Sequence, residues 1–295
     1  MIYKRIVLID YIRALAIILV VLGHLRHIYL PNYNGENHLI YFVSSFGHFG
    51  VILFFGMSGI LASNRLCLIE NFKDVWNYLR LRLMRIYLVL PFALIVTFCF
   101  DWGANKLNLY SNLAELNIIS QDSPPINRMT FELFISNLLS LQTFCTTFFG
   151  SNGPLWSLSY EVWFYVLGAI LKKTKTPLLS LILILIDLKF VGFFLFWYYI
   201  GSIKYFKVST LVFFLSSGVL CLLHIYKPFD IDLLYCAYFI ILYNFFRYKK
   251  LPTFGAVSYL AKISFSVYIY HYPILLFTSF LLFEDSVKNF NAFQA

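Results

Sequence analysis

Residues 6–28 read IVLIDYIRALAIILVVLGHLRHI. The run exceeds the roughly 20 apolar residues that cross a bilayer core, so it reads as a membrane-spanning helix. Asp10, Arg13 and His24 stand within it, and Arg26 and His27 close its end. Such groups are costly inside a span and face a cavity or a partner, which makes each one a functional-site candidate. Arg13 and His24 are eleven residues apart. In an α-helix that separation is a rotation of about 1,100° and a rise of about 16 Å, which leaves the two within about 20° of one face. One stripe of the helix thus presents a fixed cation in one half and a titratable imidazole in the other. The plainer alternative is that Arg13 snorkels and His24 only finishes the helix end. The same charges, and the lack of a small-residue cleavage site, argue that Met1–Leu30 is not a cleavable signal.

The rest of the chain has the same character. Of 295 residues, 60% are hydrophobic, 20% aromatic and only 13% charged, against about 25% charged in soluble domains. Mean hydropathy is +0.76. Too few polar side chains remain to cover a water-facing surface, which excludes a soluble enzyme, a disordered chain and a nucleic-acid reader. The net charge of +9 lies in short clusters between apolar runs, the pattern of membrane topology. Cys67, Cys99, Cys145, Cys221 and Cys236 have no metal-ligand spacing, so neither a disulfide framework nor a metal site is expected.

The fold class expected is all-α: a polytopic transmembrane helix bundle of about nine spans, forming one integral-membrane domain over 1–295. The spans fall near 6–28, 39–63, 86–102, 154–171, 176–188, 190–203, 208–226, 231–246 and 263–283. With the N-terminus cytoplasmic, sixteen of the 23 Lys and Arg residues fall inside, including Arg65, Arg82, Arg85, Lys172, Lys173 and the Arg247 cluster, and six fall outside. Merging spans 176–188 and 190–203 would move Lys204, Lys207 and the Arg247 cluster outside, so two crossings are preferred there. The long connection from Gly103 to Gly153 is then external. Its stretch 131–149 is too rich in Ser, Thr, Asn and Gln for a crossing and reads as an interfacial helix capped by Thr130.

Further polar groups fall in the spans. Residues 154–161 read PLWSLSYE and put Glu161 at a depth similar to His24. A carboxylate near an imidazole can fix its tautomer and raise its basicity, as acid–base chemistry needs. A carboxylate satisfied by an internal hydrogen-bond network is the alternative. His271, in YIYHYP (268–273), lies where Pro273 leaves a backbone carbonyl unpaired, so it reads equally as structural or functional. His48 and His224 read as structural. Residues 78–87, YLRLRLMRIY, place Arg82 and Arg85 three apart on one helical face at the membrane boundary. They read as a positive-inside anchor or as a phosphate clamp, because guanidinium forks match phosphate oxygens. The glycines of GVILFFGMSG (50–59) permit close helix packing.

Together these segments resemble the acyltransferase 3 family of integral-membrane O-acyltransferases. The matching segments are Arg13 with His24, Leu53-Phe54-Phe55 to Ser58-Gly59, Arg82-Leu83-Met84-Arg85, Trp156-Ser157-Leu158-Ser159 with Glu161, and Ile263 to Pro273. The likeness runs from about residue 6 to 283 and implies an O-acetyltransferase of surface polysaccharide, lipopolysaccharide or a similar saccharide. It implies acetyl-CoA, or another acyl-CoA, as donor substrate with no bound cofactor or metal, and a saccharide or glycolipid acceptor at the membrane. By the resemblance Arg13, His24, Glu161 and Ser159 are catalytic, and Arg82 and Arg85 bind the donor. Trp156, Ser157 and His271 are assigned to substrate. The expected location is the bacterial inner membrane.

Three departures from the family pattern stand out. Ile52 replaces a residue that is polar or acidic in many relatives, Val162-Trp163 replaces the usual pair after the first glutamate, and the family's usual tenth span has no counterpart. Two rival readings follow: an envelope-glycolipid transporter or flippase, and an inactive truncated homologue.

Overall fold

The computed structural model describes residues 7–29, 42–107, 124–174, 188–202, 207–226 and 231–294. The described residues form ten α-helices and no strand: α1 (Val7–Tyr29), α2 (Gly47–Leu66), α3 (Phe72–Tyr87), α4 (Leu90–Lys106), α5 (Phe131–Leu138), α6 (Leu155–Thr174), α7 (Leu188–Ile200), α8 (Thr210–Tyr226), α9 (Asp232–Arg247) and α10 (Gly255–Gln294). An apolar chain in lipid must pair its backbone groups within itself, and helices do so segment by segment. Four stretches are long and apolar enough to cross a membrane: Val7–Ile28, Gly47–Leu66, Phe72–Lys106 and Gly255–Ser279. α7 and the stretch Thr210–His224 are shorter apolar helices. The expected span 176–188 lies outside the described residues but for its last position, as do 108–123 of the long connection.

Several boundaries differ from those expected. Where the second span is expected over 39–63, the long helix runs from Gly47 to Leu66. The segment before the third span is a helix of its own, α3, separated from α4 by Leu88 and Val89. Pro91 falls in the first turn of α4, where its missing N–H is not needed. Thr130 caps α5 as expected, its hydroxyl accepting from the Leu133 amide at 3.2 Å, but the helix ends at Leu138 rather than running to 149.

The chain divides into two compact units. The first comprises Met1–Leu19, His48–Arg82 and Trp163–Ser264. Its core is aromatic: Phe55, Phe164, Phe190, Phe193, Phe194 and Trp197 are all buried. Their ring centroids lie 5.2–6.3 Å apart, the range of favourable aromatic pairs. The Trp197 indole donates to the Ser58 hydroxyl at 2.7 Å, so the largest core side chain keeps its polar atom paired. α2 and α7 approach closely because α2 carries Gly59: a Cβ there would sit 2.6 Å from an Ile200 methyl. Lys189 and His48 both meet the buried Asp232 carboxylate, at 2.5 and 3.4 Å, so α2, α7 and α9 begin at one end. α8 runs against α9, with Phe213 stacked on Phe245 at 4.0 Å.

The second unit comprises Val20–Gly47, Leu83–Val162 and Phe265–Ala295. Its core is more polar. The buried Asn137 amide donates to the carbonyls of Leu133 and Thr147, at 2.9 and 3.0 Å, and its oxygen accepts from the Phe149 amide at 3.1 Å. One side chain thus closes the loop after α5 back onto that helix. Gly150 ends the loop at φ +57°, in contact with Asp101, whose carboxylate accepts from the Ser151 amide at 2.7 Å.

Candidate active site

Pro273 lies within α10. A proline within a helix lacks the N–H that would bond the carbonyl four residues back, here that of Ile269. In a buried setting an unpaired carbonyl is costly. Asn152 supplies the donor: its side-chain amide reaches the Ile269 oxygen at 3.1 Å and the Thr97 hydroxyl at 3.0 Å, and all three residues are buried. Of the two readings of His271, the structural one would have it bond the carbonyl freed by Pro273, but that carbonyl has another partner. His271 bonds the carbonyl of Tyr268 through Nδ1, at 2.8 Å, and Asn152 takes Ile269.

His24 meets this region from α1. Its ring lies 5.1 Å from that of His271, tilted by 46°, and 4.9 Å edge-on from Tyr272. His24 is half-buried and His271 is buried. Arg128 and Asp101 are close enough to act electrostatically on the Tyr272 hydroxyl. A carbonyl only accepts, so His271 Nδ1 carries the proton, and in the neutral ring Nε2 holds a lone pair. That Nε2 is buried with no hydrogen-bond donor among the described residues.

The start of α6 is tied to the same place. Tyr268 donates to the Pro154 carbonyl at 2.9 Å, which leaves the Ser157 hydroxyl to donate to the Tyr268 oxygen. Ser159 is fully buried, its hydroxyl shared between the carbonyls of Ser140 (2.6 Å) and Gln142 (3.0 Å). Both serines therefore fasten α6, one to α10 and the other to the loop. Trp156 packs edge-on against Tyr160 at 5.3 Å. Glu161 is half-buried, near enough to act on Tyr268.

The arginines are placed differently from one another. Arg13 is half-buried in the first unit. Arg82, in the first unit, donates to the Leu61 carbonyl at 2.7 Å and lies over the Tyr78 and Tyr165 rings at 5.9 and 5.4 Å. Arg85, in the second, is exposed and lies over Phe265 at 5.3 Å. His224 is buried against the Tyr235 hydroxyl at 2.6 Å, and His48 sits at Asp232.

Sequence reasoning brought out His24, His271, Ser157 and Glu161, which the structure gathers in one unit. It passed over Asp101, Arg128 and Asn152. Asp101 carried the same signal as Glu161, an acid at the edge of an apolar run. Asn152 carried none beyond its type.

An all-helical apolar chain with four stretches long enough to cross a membrane, in which His24, His271 and Tyr272 meet between two helices, is an integral-membrane protein. The family model of the acyltransferase 3 family, described as an acyltransferase domain, matches residues 6–230. The chain belongs to that family and is a membrane acyltransferase. No curated protein and no solved structure matches it.

Proposed function

We propose that this chain transfers an acyl group, in the simplest case acetyl, from acyl-CoA to a hydroxyl of a cell-envelope or exported saccharide in the bacterial inner membrane. The observation that carries the reading is His24: an imidazole on an apolar helix, packed against His271 and Tyr272, in a chain of an acyltransferase family. A thioester is already activated, so a positioned acceptor and one general base suffice for transfer.

In this reading His24 removes the acceptor proton. Glu161 favours the imidazolium that forms, and Arg13 steadies the donor carbonyl. Arg82 and Arg85 bind the CoA phosphates at the cytoplasmic face. Arg85 has the freer guanidinium for this, because Arg82 also serves the Leu61 carbonyl. Trp156 faces the acceptor, His271 stands against His24, and Ser157 and Ser159 contribute by the positions they hold.

The nine-span, cytoplasmic-N-terminus topology is part of the proposal. Two contacts within the first unit support one part of it, the pair of crossings expected over 176–188 and 190–203. Lys173 donates to the Glu70 carbonyl, just past the C-terminal end of α2, whereas Lys189 meets Asp232 beside His48, at the start of α2. The two lysines belong at opposite ends of a 20-residue helix, as two crossings in that part of the chain require.

The test is label transfer. Full-length protein in proteoliposomes, given acyl-labelled acyl-CoA and extracted envelope saccharide, is expected to place label in an alkali-labile ester on the saccharide. Transport of glycolipid with no consumption of acyl-CoA would contradict the proposal.

A further inference from the structure

The lone pair on His271 is the feature that the roles above leave unused. His271 is held in one tautomer, with Nδ1–H on the Tyr268 carbonyl at 2.8 Å. Its ring cannot turn over without breaking that bond, and Tyr268 is itself anchored to Pro154 and Ser157. Burying an acceptor without a donor costs about 1–3 kcal/mol, and lipid-embedded protein offers little water to relieve it. The nearest imidazole is His24, at 5.1 Å between centroids, a separation at which two rings can share an N–H···N bond.

We infer that His271 is the proton acceptor behind His24, so that the base of the reaction is a coupled imidazole pair. This rests on the acyl-transfer reading above and deepens it. The acceptor hydroxyl gives its proton to one ring nitrogen of His24, and the proton on the other nitrogen passes to His271 Nε2. The acceptor oxygen bonds the acyl carbon while the carbon–sulfur bond breaks. The CoA thiolate leaves with the electron pair and regains a proton from the histidine pair, which returns to neutral. Positive charge thus moves off the ring that touches substrate onto one whose Nδ1–H is held by the Tyr268 carbonyl. The other titratable groups against the pair are Tyr272 and Tyr268 on α10; behind them Glu161 on α6 acts on Tyr268, and Asp101 on α4 and Arg128 in the loop act on Tyr272. His271 acts through His24 and is a positioning and relay residue.

His271→Asn tests this, because asparagine keeps a donor near Nδ1 for the Tyr268 carbonyl and removes Nε2. Two readouts are taken on full-length protein in detergent. The first is ¹⁵N-histidine NMR of the six histidines, assigned by substitution. His271 is expected as the Nδ1–H tautomer, and its titration is expected to change on His24→Gln, as coupled sites require. The second is acyl-CoA turnover. His271→Asn is expected to lower kcat by roughly 10²-fold, the lower end of what a positioned acid–base group contributes, with KM little changed and the pH–rate profile moved.

An Nε2–H tautomer, or a His271 titration indifferent to His24→Gln, overturns the relay and leaves acyl transfer standing. So does undiminished turnover, or a loss matched by lost thermal stability with an unmoved pH profile. Absence of turnover in folded wild-type protein overturns both readings, and the NMR coupling then stands as a property without that role.

Discussion

Asn152→Ala removes the amide that satisfies the carbonyl freed by Pro273, and its cost can be worked out. The Ile269 oxygen is orphaned in a fully buried setting, at about 1–3 kcal/mol, and the bond to Thr97 is worth about 1 kcal/mol more. The single variant is therefore expected to lose about 2–4 kcal/mol. Pro273→Ala supplies an N–H that can close the helical bond to the same Ile269 oxygen. In that background Asn152→Ala should cost only the loss of the Thr97 bond, about 1 kcal/mol. The double-mutant cycle then yields a coupling of about 1–3 kcal/mol between residues 152 and 273. The assay is reversible denaturant unfolding in mixed micelles, with the four proteins measured side by side. An equal cost for Asn152→Ala in both backgrounds would refute the assignment of that amide to the proline-freed carbonyl.

Three further outcomes follow from the packing and the charges. Gly59→Ala should destabilise by about 1–3 kcal/mol, because its Cβ meets Trp197 backbone and the Ile200 methyl, while Gly218→Ala on α8, where a Cβ meets nothing within 4 Å, should be neutral or stabilising in the same unfolding assay. Trp197→Phe should cost about 1–3 kcal/mol in thermal or denaturant unfolding, since it removes the donor to Ser58 and leaves that buried hydroxyl short of a partner. Arg85→Gln should raise KM for acyl-CoA several-fold and flatten its dependence on salt, with stability little changed, because the guanidinium is exposed and its stacking on Phe265 lies at the surface; an unchanged KM would remove it from donor binding.

What could be read in the sequence was what depends on local pattern. The apolar run of α1 with Arg13 and His24, the glycines of α2 and the Thr130 cap each carry their signal within a few residues, and each is found as a helix, a close approach or a cap. Pro273 announced a free carbonyl just as locally. Its partner could not be read, because Asn152 lies 117 residues away and nothing in its neighbourhood distinguishes it from a solvated asparagine. Arg82 and Arg85 show the same limit. Helical spacing put them on one face, whereas the neighbours that decide their roles, Leu61 and Tyr165 for one and Phe265 for the other, come from distant segments. Ser157 and Ser159 looked alike as hydroxyls beside a glutamate; tertiary packing gave one to Tyr268 and the other to loop carbonyls.

The most direct test of the central claim is CoA release from acyl-CoA by purified full-length protein with envelope saccharide present, wild type beside His24→Ala, both shown to be folded by unfolding midpoint. Release by the wild type and its loss, by roughly 10²-fold or more, in His24→Ala is the predicted result. Near-normal release by folded His24→Ala would contradict the account.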